Sequence, residues 1–173
     1  MTRVALVDES TNPELAPLVE RIKAERSGRL LNLYKVLLNS PEVADGWLTL
    51  FTAIRQKGKL GERFRELAIM RIAVLNGAKY EYEQHVPFAL KAGLTQAQLD
   101  ALPEWRKASV FGPADKAVLE YTDAMTKKIQ VSDTVFKRVR RLFDDRELVE
   151  LTATIGGYNL VSRFLEALQV EHE

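Results

Sequence analysis

The sequence predicts an all-α protein. Apolar residues recur at three- and four-residue spacing along most of the chain, and no segment sustains the period-two alternation and β-branched enrichment of a strand. The polar breaks between periodic stretches also carry helix punctuation, with proline just inside a start and glycine just past an end. At 173 residues the chain can bury a substantial core and fits one domain, read as residues 1–173.

Taken in order, "TNPELAPLVERIKAERSG" sets Asn12 as an N-cap, Pro13 at the first helical position and Gly28 at the far end. "RLLNLYKVLLNSPEV" places Leu30, Leu33, Leu37 and Leu38 on one face, and "SPE" restarts a helix through "VADGWLTLFTAIRQKGKL". "GERFRELAIMRIAVLNG" is apolar nearly all round from Leu67 to Leu75, so it is expected to be buried on most sides or against another subunit, with Arg71 as its one interruption. Gly77 closes that helix and a second one follows, in which Pro87 removes a backbone donor and predicts a bend near Glu83. "LTQAQLDAL" is a short helix capped by Thr95. Three further helices follow in "GPADKAVLEYTDAMTKK", "VSDTVFKRVRRLF" and "DDRELVELTATIGGYNLVSRFLEALQVE". "RELAIMRIAVLNG" and "RELVELTATIGG" resemble each other, either as a weak internal repeat or as two buried helices under the same packing rules.

Composition narrows the chemistry. Lys and Arg number 25 against 24 Asp and Glu, which provides no broad basic field for a nucleic acid. No apolar run reaches the roughly 18–20 residues of a membrane span, and the first twenty residues lack a signal-peptide layout, so a cytoplasmic protein is expected. The absence of cysteine excludes disulfides, thiolate nucleophiles, iron–sulfur clusters and thiolate-bound zinc.

One constellation remains. His85 is one of two histidines, and at about 100° per residue Ala78, Glu81 and His85 share a helix stripe. Glu66 lies on the preceding helix, which a short-turn hairpin would fold back against that stripe. A carboxylate beside an imidazole fixes its tautomer and favours its charged form, as an acid–base group requires. Spacing alone leaves three readings open: a surface Glu–His pair, an acid–base site, or a metal site short of ligands and lacking an HExxH pair. His172 reads as a tail residue. Arg71 and Arg163 could bind a carboxylate but more often serve structure, and Trp47, Phe51, Tyr80 and Tyr82 are more often core than pocket. No phosphate-cradling glycine loop or GxSxG elbow occurs.

The segment "RELAIMRIAVLNGAKYEYEQHVPFALKAGL", Arg65 to Leu94, strongly resembles the carboxymuconolactone decarboxylase family, which shares the fold of alkylhydroperoxidase D. A looser resemblance runs through "GRLLNLYKVLLNSPEVADGWLTLF" and "GGYNLVSRFLEALQVE", so nearly the whole chain is covered. The resemblance implies a helical domain with a central helical hairpin that assembles as trimers or hexamers. In the peroxidase branch a Glu precedes a Cys-x-x-Cys-x-x-x-His motif; Glu66 and His85 match, whereas Ala78 and Glu81 stand at the cysteine positions. A thiol peroxidase is therefore ruled out. "YEYEQH" is similar to the Tyr-Glu-Trp-x-x-His pattern of the decarboxylase branch, with Tyr82 in place of Trp.

The resemblance implies Glu66, Glu81 and His85 as catalytic residues acting on a small molecule, a carboxylated unsaturated lactone or related intermediate of aromatic catabolism, with no cofactor and no metal demanded. The other reading is a non-catalytic oligomeric or small-molecule-binding protein on the same fold.

Overall fold

Helix boundaries fall where side chains or special backbone conformations can satisfy the terminal peptide groups. The computed structural model describes residues 1–173 and is helical throughout, with no strand. Its helices are α1 (Ala16–Glu25), α2 (Asn32–Leu37), α3 (Pro41–Thr52), α4 (Glu62–Asn76), α5 (Lys79–Lys91), α6 (Gln96–Ala101), α7 (Pro113–Lys128), α8 (Asp133–Arg140) and α9 (Asp145–Leu168). The all-α expectation holds. None of these helices is long and apolar enough to cross a membrane. The chain forms two compact units, one of Met1–Lys57 with Leu165–Glu173 and the other of Gly58–Phe164.

In the first unit the start of α1 differs from expectation. Asn12 opens a 3-10 turn, Pro13–Leu15, and the α-helix begins only at Ala16. The Asn12 amide donates to the Asp8 carbonyl at 2.8 Å instead of accepting from the helix, so it is not the cap. Likewise α2 begins at Asn32 because Leu31 is extended, which leaves Leu30 ahead of the helix. α3 does start at Pro41 and ends in a π-helical turn, Ala53–Lys57. Trp47 and Phe51, ring centroids 5.0 Å apart, are buried core. Buried Arg26 donates from Nε to the Tyr34 hydroxyl at 2.9 Å, and the Asn32 amide donates to the Glu173 carboxylate at 2.7 Å, tying the C-terminal residues to α2.

The second unit is built on α4, which packs against α5 and α7. Residues Glu66 to Ala73 are all buried, so the all-round apolar pattern of this helix reflects burial on every side. Gly77 then turns the chain at φ +64°, a left-handed conformation that costs glycine nothing, and α5 starts two residues later. α5 continues through Pro87 to Lys91. α6 opens with a capping box in which Thr95 accepts from the Gln98 amide and Gln98 from the Thr95 amide. α9 uses the same device: the Asp144 carboxylate accepts from the Glu147 amide at 2.9 Å, and Glu147 returns the bond at 3.0 Å.

Candidate functional site

The α4–Gly77–α5 hairpin sets two helices side by side, and the face of α5 turned inward carries Ala78, Glu81 and His85, all buried. Opposite them Glu66 projects from α4. Nδ1 of His85 lies 2.8 Å from Oε2 of Glu66, while Oε1 of Glu66 accepts a longer bond, 3.4 Å, from Arg65 Nε. Relative exposure is 2% for Glu66, 2% for Glu81 and 7% for His85. The surface-pair reading of Glu81 and His85 is thereby excluded, since neither side chain stands in solvent.

A third helix completes the cluster. Tyr158 of α9 meets the His85 ring edge-on, with centroids 5.0 Å apart and planes at 88°. One turn later Ser162 donates to Oε2 of Glu81 at 2.8 Å and is itself 3.0 Å from the Tyr158 carbonyl. Phe88 also lies against His85, centroid to centroid 5.8 Å. The imidazole is therefore held by one carboxylate and two aromatic rings. The contact with Glu66 fixes the orientation of the His85 ring through Nδ1. A buried carboxylate–imidazole contact favours the charged form of the imidazole, an arrangement compatible with acid–base chemistry.

Sequence reasoning missed Ser162 and Tyr158. A signal was present, because Leu151, Ile155, Tyr158 and Ser162 are spaced as one buried stripe of α9, and a serine on such a stripe requires a polar partner. The other candidates resolve differently. Arg71 donates to both oxygens of Asp123, at 2.7 and 3.1 Å, and to the Leu102 carbonyl at 2.8 Å, a buried structural pair. Arg163 is exposed and folds back onto the Asn159 carbonyl and side chain of its own helix. Tyr80 is buried and Tyr82 half-buried, its hydroxyl pKa pushed up by desolvation first and the nearby Asp100 second.

Comparison with known proteins agrees with this hairpin. The model of the carboxymuconolactone decarboxylase family matches residues 41–124, a span containing α4, α5 and the three residues Glu66, Glu81 and His85. Over that span the chain is similar to the carboxymuconolactone decarboxylase family. Among similar proteins, the uncharacterized protein YdfG of Bacillus subtilis is 27% identical over 115 residues, 65% of this chain and 78% of YdfG. A solved structure from Agrobacterium tumefaciens, a protein of unknown function with a suggested AhpD-type antioxidant role, superposes with TM-score 0.74 at 26% identity, covering 80% of this chain and 95% of that one. The debrominase Bmp8, solved with a cysteine replaced by alanine and 2,3,4-tribromopyrrole bound, has the same fold: TM-score 0.81 at 18% identity, covering 100% of this chain and 94% of Bmp8. The fold is thus the alkylhydroperoxidase D-like one, in a chain that contains no cysteine.

Proposed function

We propose that this protein is a cytoplasmic, cofactor-independent acid–base enzyme that decarboxylates a carboxylated unsaturated lactone or a related aromatic-catabolism intermediate. The observation that carries the reading is the buried His85–Glu66 contact of 2.8 Å, backed by a second buried carboxylate, Glu81, fixed by Ser162. In such a reaction the bond between the ring carbon and its carboxylate breaks and carbon dioxide leaves. The electron pair passes into the lactone carbonyl as a dienolate, which then takes a proton at carbon. His85 delivers that proton while Glu66 balances the imidazolium, and the proton is regained from water between turnovers. Glu81, when protonated, donates to the developing oxyanion; burial of the cluster makes each such interaction stronger than it would be in water. Thiol-dependent chemistry has no residue to carry it.

Exposed apolar side chains on α5 and α9, Phe88, Leu90, Val149 and Leu160, support assembly as a homo-oligomer, a trimer or hexamer by family resemblance. The deciding experiment incubates the purified protein with 4-carboxymuconolactone and follows carbon dioxide release and enol-lactone formation, with His85→Ala alongside. Wild-type turnover that the variant loses supports the decarboxylase. A folded wild type with no turnover removes this substrate and favours the non-catalytic, small-molecule-binding reading.

A further inference from the structure

A groove of about 490 Å³ lies within the Gly58–Phe164 unit, bounded by α7, by α8 and the residues just after it, and by the turn at Trp105. It shares no residue with the Glu66–His85 cluster. Four of its lining residues are cations, Arg106, Lys116, Arg138 and Arg141, against one carboxylate, Glu120. That carboxylate is already engaged: Arg138 pairs with it directly and Arg106 approaches it at 3.8 Å. Lys116 and Arg141 have no carboxylate partner. The remaining lining is apolar, from proline, alanine and leucine side chains and the indole of Trp105.

The indole wall is rigid. Trp105 is buried, and its Nε1 donates to Oδ2 of Asp123 at 3.3 Å. Asp123 is in turn clamped by Arg71, and the guanidinium of Arg106 lies over the Trp105 ring at 4.3 Å. A concave site with excess positive charge and low-dielectric walls concentrates anions, and guanidinium groups match the planar geometry of carboxylate and phosphate oxygens. The volume falls within the roughly 300–1,000 Å³ of small-molecule sites. A nucleic acid would demand an extended basic surface, which a chain of net charge +1 does not offer.

We propose that this groove binds a small organic anion carrying two carboxylate or phosphate groups on a compact apolar body: Lys116 and Arg141 take the oxygens and Trp105 takes the body. The proposal is independent of the decarboxylase reading.

The test titrates the full chain with benzene-1,3-dicarboxylate, its neutral dimethyl ester and inorganic phosphate, read by calorimetry and tryptophan fluorescence, Trp105 lying in the groove wall. Saturable binding of the dicarboxylate, absence of binding by the ester, and weaker binding of phosphate are expected. The variant Lys116→Ala/Arg141→Ala should weaken dicarboxylate binding about tenfold or more, the effect of losing charge-assisted contacts. Lys116→Arg, which keeps the charge, should retain binding and separates loss of the site from loss of the fold. His85→Ala should bind as the wild type does. Absence of saturable dicarboxylate binding overturns the proposal. Binding that survives in the double variant but disappears in His85→Ala also overturns it, because the anion then sits in the other cluster. Phosphate binding equal to that of the dicarboxylate removes the apolar body from the ligand's description.

Discussion

Two buried polar clusters share helix α4, and they are built on opposite principles. Arg71 and Glu66 stand about 140° apart around the helix axis. The Arg71 cluster is an ion-pair cluster: both oxygens of Asp123 accept from the guanidinium, which also donates to the Leu102 carbonyl, and Trp105 Nε1 and Lys127, at 3.3 and 3.5 Å, add to the partners of the carboxylate. Arginine does not release its proton in proteins, so that arrangement has one protonation state and a structural role. Around Glu66 the balance is different: its carboxylate meets the His85 imidazole at 2.8 Å and takes only a longer contact, 3.4 Å, from Arg65, while Ser162 donates to the second buried carboxylate, Glu81. A proton can move there. Burial of charge is common to both clusters, and only the second offers exchangeable protonation.

The comparison can be broken first at His85. His85→Ala should lower lactone turnover about 10²–10⁴-fold, the usual worth of a general acid–base group, while the urea midpoint moves less than it does for Asp123→Ala. Equal losses of activity and stability would erase the distinction between the clusters. Asp123→Ala leaves a buried guanidinium uncompensated and should cost about 3–5 kcal/mol in urea unfolding. Ser162→Ala removes one buried hydrogen bond to Glu81, with an expected stability loss of about 1–2 kcal/mol and a fall in turnover at unchanged helical content by circular dichroism. The sharpest structural control is Arg71→Met with Asp123→Leu, which exchanges the whole pair for apolar volume. It should recover part of the Asp123→Ala loss, because no buried charge is left uncompensated, but stay about 1–3 kcal/mol below wild type, because the Leu102 carbonyl and Trp105 Nε1 lose their partners. Smallest of all, Arg163→Ala should leave both the melting temperature and turnover unchanged, because this exposed side chain contacts only its own helix.

Much of the fold could be read directly. Gly77 at φ +64°, Thr95 with its capping box and Pro41 opening α3 behave as local sequence rules require, because caps and turns depend on residues within a few positions. Asn12 departs from its rule because a 3-10 turn, Pro13–Leu15, separates it from α1 and its side-chain amide is turned back onto the Asp8 carbonyl. The site was half legible. Glu66, Glu81 and His85 stand out from helical spacing and family resemblance, whereas Ser162 is distant in sequence from Glu81 and meets it only when α9 packs beside α5. The two similar "REL" segments make the same point: Glu66 is buried against His85, and Glu147, at the matching position, caps the first turn of α9.

By itself the sequence determined the helical class, the stops and starts of most helices, the exclusion of thiol chemistry and the stripe shared by Glu81 and His85, all properties of composition or of short-range geometry. Tertiary structure decided which buried carboxylate meets a guanidinium and which meets an imidazole. Arg71 and Asp123 are far apart in the chain, as are Glu66 and His85, and nothing local distinguishes a carboxylate that meets a guanidinium from one that meets an imidazole. Packing settles it, because a buried charge must find its partner across helices, and the partner it finds sets whether it holds the fold or can move a proton.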